Sequence, residues 1–224
     1  MAIQANNPLA RKGKKKNLSK KKDGDLFLKK SWYNLLAPTF FQSKVVGKTV
    51  IQKISTKNVT EKKLVGRTFE VFQKDLNDGD HFRKFRFMVT DVTGTECHSE
   101  FQGMEITSDV KIGMVKKWHS LINGIFDFTT QEGFTMRLQM AATTRKEKDS
   151  LKKTCYATKN QIKDVRKLME KTVESKMNNK SISEIVKVLC DDEISKIISS
   201  ASDISIGNCH VTKVKIVKRP IISN

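Results

Sequence analysis

The hydrophobic period of this chain changes twice, and that limits what it can fold into. From about Val45 to Thr144, apolar residues recur mostly at every second position. From Ile162 to Ala201 they recur every three or four, and over His210–Lys218 they alternate again. Period two lines one face of a strand, and period 3.6 lines one stripe of a helix. A run of strands, then helices, then a returning strand predicts an α+β fold.

The strand region carries its own punctuation. Val45–Ile51 and Gly66–Phe72 are rich in Val, Ile, Phe and Thr, as strands are. Asn77-Asp78-Gly79-Asp80 predicts a turn into Phe82–Val92, where Phe85, Phe87 and Val89 share one face and Lys84, Arg86 and Met88 the other. Thr93-Gly94 turns the chain again. Gln131-Glu132-Gly133 separates Ile125–Thr130 from Phe134–Ala142, with Phe134, Met136, Leu138 and Met140 facing inward. Short strands joined by turns predict an antiparallel, barrel-like β body.

One helix is expected to interrupt it. Thr107-Ser108-Asp109 offers N-caps, and Ile112, Val115, Trp118 or His119, and Ile122 recur at helical spacing until Gly124. Beyond Thr144, Ile162, Val165, Leu168, Met169 and Val173 mark a long amphipathic helix. Ser181 with Glu184 forms a capping box before Ile182, Ile185, Val186 and Leu189. Ile194, Ile197, Ile198 and Ala201 mark another helix, and Pro220 stops the closing strand. Three regions result: a basic arm over 1–30, a β-rich body over 31–144, and a helical segment with closing strand over 145–224, packed with the body.

Charge then narrows the function. Lys and Arg number 43 against 24 acids, a formal net charge of +19. Such an excess predicts a polyanionic partner, with nucleic acid ahead of anionic membranes and acidic proteins. The cations are also concentrated. Arg11, Lys12, Lys14, Lys15, Lys16, Lys20, Lys21 and Lys22 lie in one run without an acid and with a single apolar residue, Leu18. That run cannot bury enough surface to offset its ordering entropy, so a disordered arm that orders on RNA is expected. It can equally encode a nuclear localisation signal. Residues 145–167 hold nine basic and three acidic residues, whereas 168–203 hold five and seven, a face suited to a basic protein neighbour.

Aromatic residues adjoin cations at Lys29-Lys30-Ser31-Trp32-Tyr33, Lys116-Lys117-Trp118 and Lys152-Lys153-Thr154-Cys155-Tyr156. Rings beside phosphate-binding cations can stack unpaired bases. Trp32, Tyr33 and Tyr156 fit that role or a packing role equally. Trp118 falls on the apolar stripe of its expected helix, and periodicity assigns it to the core. Arg145 and Lys146 extend the third cluster.

Catalysis is not expected. No GxxxxGK[ST] or GxGxxG is present, and Val46-Gly47-Lys48-Thr49 lacks the first glycine of a phosphate loop. His81, His98, His119 and His210 are dispersed. Asp191-Asp192-Glu193 sits where a helix N-terminus attracts acids. Cys97, Cys155, Cys190 and Cys209 form no CxxC pair and are expected to be reduced and mostly buried. Cys97-His98 alone makes a poor zinc site. No metal or cofactor is expected. No stretch reaches the roughly 20 apolar residues of a membrane span, and the polar, basic N-terminus is unlike a secretory leader.

Several segments, in order, resemble the archaeal and eukaryotic small-subunit ribosomal protein family S3Ae (S1e). They are Trp32-Tyr33 with Ala37-Pro38, Val46-Gly47-Lys48-Thr49, Leu64-Val65-Gly66-Arg67 with Phe69-Glu70-Val71, and Phe82-Arg83-Lys84. Phe101-Gln102-Gly103-Met104 with Thr107 and Asp109, then Met114-Val115-Lys116-Lys117-Trp118, continue the series. Tyr156-Ala157, Ile162 with Arg166-Lys167, and His210-Val211 through Lys213-Val214-Lys215 to Lys218-Arg219-Pro220 complete it. The resemblance implies a ribosomal subunit protein of the platform, near the messenger exit and the three-prime end of the small-subunit RNA. It implies rRNA and neighbouring platform proteins as partners, with initiation factors and mRNA close by. Arg83, Lys84, Lys116, Lys117, Arg166, Lys167, Lys213, Lys215, Lys218 and Arg219 become RNA-contact candidates through their place in the matching motifs. Many eukaryotic members carry a charged tail after the last strand, where this sequence ends at Ile221-Ile222-Ser223-Asn224, so no role of a tail is carried over. A free RNA-binding regulatory or initiation factor is the alternative.

Overall fold

The computed structural model of the chain describes residues 25–220 apart from 54–56, 78, 80 and 148–149. The basic run from Arg11 to Lys22 therefore lies outside the described residues. The elements in order are β1 (Lys30–Leu36), β2 (Val45–Gln52), α1 (Lys57–Leu64), β3 (Thr68–Phe72), α2 (Gln73–Leu76), β4 (Arg83–Thr93) and β5 (Glu96–Ile106). Then come α3 (Ser108–Gly113), β6 (Leu121–Thr129), β7 (Thr135–Thr144), α4 (Lys159–Met177), α5 (Ile182–Asp191), α6 (Glu193–Ala201) and β8 (Ile206–Lys218). The α+β expectation holds.

All eight strands belong to one sheet, ordered β2-β1-β5-β8-β7-β6, with β4 paired to β5 and β3 to β4. Every pairing is antiparallel except the short one between β1 and β5. Because β4 runs along the whole of β5, β1 and β8 divide its other edge, at Glu96–Cys97 and Gly103–Glu105 respectively. At Gly103 any side chain would meet the carbonyl oxygen of Val214, so glycine allows β8 to approach. The sheet does not close into a barrel among the described residues. Its last strand, β6, is met by α4 instead of another strand, and Arg166 Nε donates to the Asn123 carbonyl there at 3.0 Å.

Strand alternation builds the core. Phe85, Phe87 and Val89 of β4, and Met136, Leu138 and Met140 of β7, are buried as their period predicts. Phe41 meets Phe85 and Phe87 edge-on, with ring centroids 5.4 and 5.5 Å apart. The helices supply the opposing layer: Val165, Met169 and Val173 of α4, Ile185, Val186 and Leu189 of α5, and Ile194 and Ile198 of α6. The expected capping box of α5 is present, with the Glu184 amide donating to Ser181 Oγ and the Ser181 amide to Glu184 Oε2. A second one, Thr158 with Gln161, starts α4.

The expected helix over 107–124 is corrected. It ends at Gly113, and Ile112 and Val115 are 70 % and 67 % exposed. Ile122 fits a helical stripe and an alternating strand equally well. Pairing with Ala142 and full burial draw it into β6. Met114, with the half-buried Val110, packs the short helix against Ile106 and Ala141.

Candidate nucleic-acid interface

Pairing between β6 and β7 sets Leu121 opposite Thr143, so the residues just before β6 meet those just after β7. A parallel bridge from His119 to Cys155 then draws in a third stretch. Hydrogen bonds fix this knot. The Cys155 amide donates to the Trp118 carbonyl (2.9 Å), His119 Nδ1 to the Thr144 carbonyl (2.5 Å), and the Ser120 amide to Thr144 Oγ1 (2.9 Å). Thr144 Oγ1 donates to the Cys155 carbonyl (2.6 Å), and the Ala157 amide to Ser120 Oγ (3.1 Å). Two basic stretches distant in sequence converge here, Lys116-Lys117 and the cluster of Arg145, Lys146, Lys152 and Lys153. Lys116, Lys117, Arg145, Lys146, Lys152 and Lys153 are all exposed, and so is Tyr156. A cleft of about 150 Å³ opens among Lys116, His119, Arg145 and Asn208.

Trp118 is not a core residue, which corrects the sequence expectation. Its backbone is left-handed at φ 70, and the ring is 37 % exposed. For a bulky L-residue that conformation costs about 1–3 kcal/mol, sustained only where surrounding contacts impose it. The knot imposes it. Lys117 Nζ and Lys153 Nζ lie 5.1 and 5.5 Å from the indole centre. Periodicity missed this residue because its helix ends five residues earlier.

The other aromatic candidates divide by strand parity. Trp32 points outward from β1, 53 % exposed, whereas Tyr33 packs on the small core of Leu35, Ile51, Leu64, Val89 and Cys97. Lys29 and Lys30 are exposed beside them. Val46-Gly47-Lys48-Thr49 lies within β2, paired to β1, and not in a loop before a helix.

A second group of cations lies on the sheet face away from the helices. Three of them are matched by acids: Arg86 with Glu70, Arg137 with Asp127 and Lys213 with Glu105 (3.2 Å). Hydrogen bonds from Arg86 and Arg137 hold the Glu70 and Asp127 carboxyls below their ordinary range. Lys84, with its Nζ 5.6 Å from the Phe72 ring, shares that face with Lys215. Lys218 is exposed at the strand end, and Arg219 Nη2 reaches Met88 Sδ. Arg166 and Lys167 are exposed on α4, Lys167 at 4.0 Å from Asp164.

Arg83 is a correction of another kind. It shares the parity of Phe85 and points inward, 1 % exposed, so it is no surface cation. Its Nη2 lies 2.9 Å from Asp192 Oδ2, and its Nη1 donates to Gln73 Oε1 (3.2 Å) and the Cys190 carbonyl (3.1 Å). His210 Nδ1 lies 3.4 Å from the same carboxylate, and Ser195 Oγ donates to its other oxygen at 2.7 Å. Burial pushes the Asp192 carboxyl up, but hydrogen bonds from His210 and Ser195 and the Arg83 charge outweigh it and hold it below the ordinary range. Asp192, in a left-handed conformation between α5 and α6, thus ties the helices to β4 and β8.

Cys97 and His98 point to opposite faces of β5, buried and exposed. Among the described residues no group of three His, Cys, Asp or Glu could hold a metal, and no helix is long and apolar enough to cross a membrane. Burial pushes the Cys190 thiol up to about 11 and the Cys209 thiol to about 12. Iodoacetamide pulses on the folded chain at pH 8 should therefore label Cys155 first. Cys97, Cys190 and Cys209 should follow only on unfolding, as peptide mass mapping would show.

The ribosomal S3Ae family model matches residues 18–220, from within the basic run to the proline after β8. With nearly the whole sequence matched, the chain belongs to the ribosomal S3Ae family.

Proposed function

We propose that the chain is a structural constituent of the small ribosomal subunit that binds rRNA at the platform, near the messenger exit. The observation that carries this is the convergence of Lys116, Lys117, Arg145, Lys146, Lys152 and Lys153 on one knot, where cations outnumber nearby acids. Such a patch neutralises closely spaced phosphates and releases their counterions. The basic arm, with Lys84, Lys215, Lys218, Arg166 and Lys167, adds further contacts to the same RNA. Neighbouring platform proteins take up the acid-leaning helices, and mRNA and initiation factors pass close by. The protein resides in cytoplasmic ribosomes, after nucleolar passage if the cell is eukaryotic.

Sucrose-gradient sedimentation of cell extract, with magnesium and then with chelator, tests the reading. The chain should follow the small subunit in both gradients and leave it only in high salt. A chain that stays at the top of the gradient would instead be a free RNA-binding factor.

A further inference from the structure

We propose that Trp118 is a stacking platform for one unpaired RNA base, with Lys117 and Lys153 taking the phosphates flanking that base. The proposal deepens the rRNA-binding reading above and rests on it. Two features single out this indole. It stands in a left-handed backbone conformation that L side chains seldom adopt, yet its ring remains over a third exposed. Apolar burial therefore does not account for its placement. The second feature is the pair of ammonium groups, from segments far apart in sequence, that converge within 5.5 Å of the ring centre.

The knot fixes the backbone that carries the indole. The Trp118 carbonyl accepts from the Cys155 amide, and the next residue, His119, is fastened to Thr144. The ring's attachment is thus preorganised, while the lysine stems are long enough to swing their charges from its face to a phosphate. A base paired inside a duplex hides both its faces in the stack, so the fitting ligand is single-stranded. A protein ligand fits less well, because lysine is depleted from protein–protein interface cores and the ring is surrounded by it.

The test uses the full chain carrying Trp32→Phe, which leaves Trp118 as the sole indole of the two tryptophans. Single-stranded oligo(U), a duplex of equal length and heparin are titrated in turn, following tryptophan emission and binding. Oligo(U) should quench the emission. Heparin, which offers charge without bases, should bind without comparable quenching, and the duplex should quench little. Adding Trp118→Ala should weaken oligo(U) binding about tenfold at fixed salt and leave the salt dependence unchanged, while Trp118→Phe restores most of the affinity. Equal quenching by heparin, or unaltered oligo(U) affinity in Trp118→Ala, would overturn the proposal. If the chain still sediments with small subunits after such a result, only the stacking site falls. A chain that binds neither oligo(U) nor small subunits removes the underlying reading as well.

Discussion

Replacing Asp192 by Ala should destabilise the fold by about 3 kcal/mol, the lower end of the range for breaking a buried ion pair. The substitution removes the carboxylate that lies 2.9 Å from the buried Arg83 guanidinium. The lower end applies because the Asp192 side chain keeps 17 % of its surface open to water. Alanine also tolerates the left-handed backbone there less well than aspartate does. Adding Arg83→Met to the same chain should recover part of the loss, since an apolar side chain of similar length needs no counter-charge. Urea unfolding of the two single variants and the double variant measures this coupling, and simple additivity would show that the pair is not the link described. The sign of the pH dependence follows from the lowered carboxyl. A group depressed on folding contributes its stability above the ordinary carboxylate pKa, near 4, and loses it as pH falls through the folded value. Acid should therefore loosen the helices from the sheet, and Asp192→Ala should flatten that part of the profile.

The second large effect is on RNA affinity. If about six phosphates of duplex-like RNA are contacted, log K should fall against log salt with a slope near −5. A fourfold rise in salt then costs roughly three decades of affinity. Deleting residues 2–24, which carry eight cations and one acid, should make that slope shallower and leave β1 intact, since β1 begins at Lys30. Filter binding across a salt series measures both slopes. Equal slopes for the full and shortened chains would mean that the arm makes no phosphate contacts.

The sequence was most readable where one physical signal acted alone. Phe85, Phe87 and Val89 face the core because alternation on β4 has no competing period, and Ser181 with Glu184 caps α5 through local hydrogen bonds. Strand β5 was obscured because its inward positions Cys97 and Ser99 are small or polar, so alternation barely registers before Phe101. Ile122 satisfied two periods, and long-range pairing decided between them. Arg83 was readable in principle: the alternation that turns Phe85 inward turns Arg83 inward as well. Its place in the matching motif Phe82-Arg83-Lys84 points instead to RNA contact, and its partner Asp192 lies too far along the chain for local inspection. The cations of the knot could be found by counting charge. Their convergence could not, because it depends on the register of β6 on β7 and on the His119–Cys155 bridge.

The position of β8 between β5 and β7 also sets a schedule for the nascent chain. Of the described elements it is synthesised last, yet it fills the middle of the sheet. The edge of β5 that receives it is complete about a hundred residues earlier, which at 5–20 residues per second is a wait of roughly 5–20 s. During that interval the β1–β5 part and the β6–β7 hairpin are two unjoined pieces, each presenting open backbone to whatever strand it meets. Until β8 is made, pairing of those edges with strands of other chains is the competing outcome.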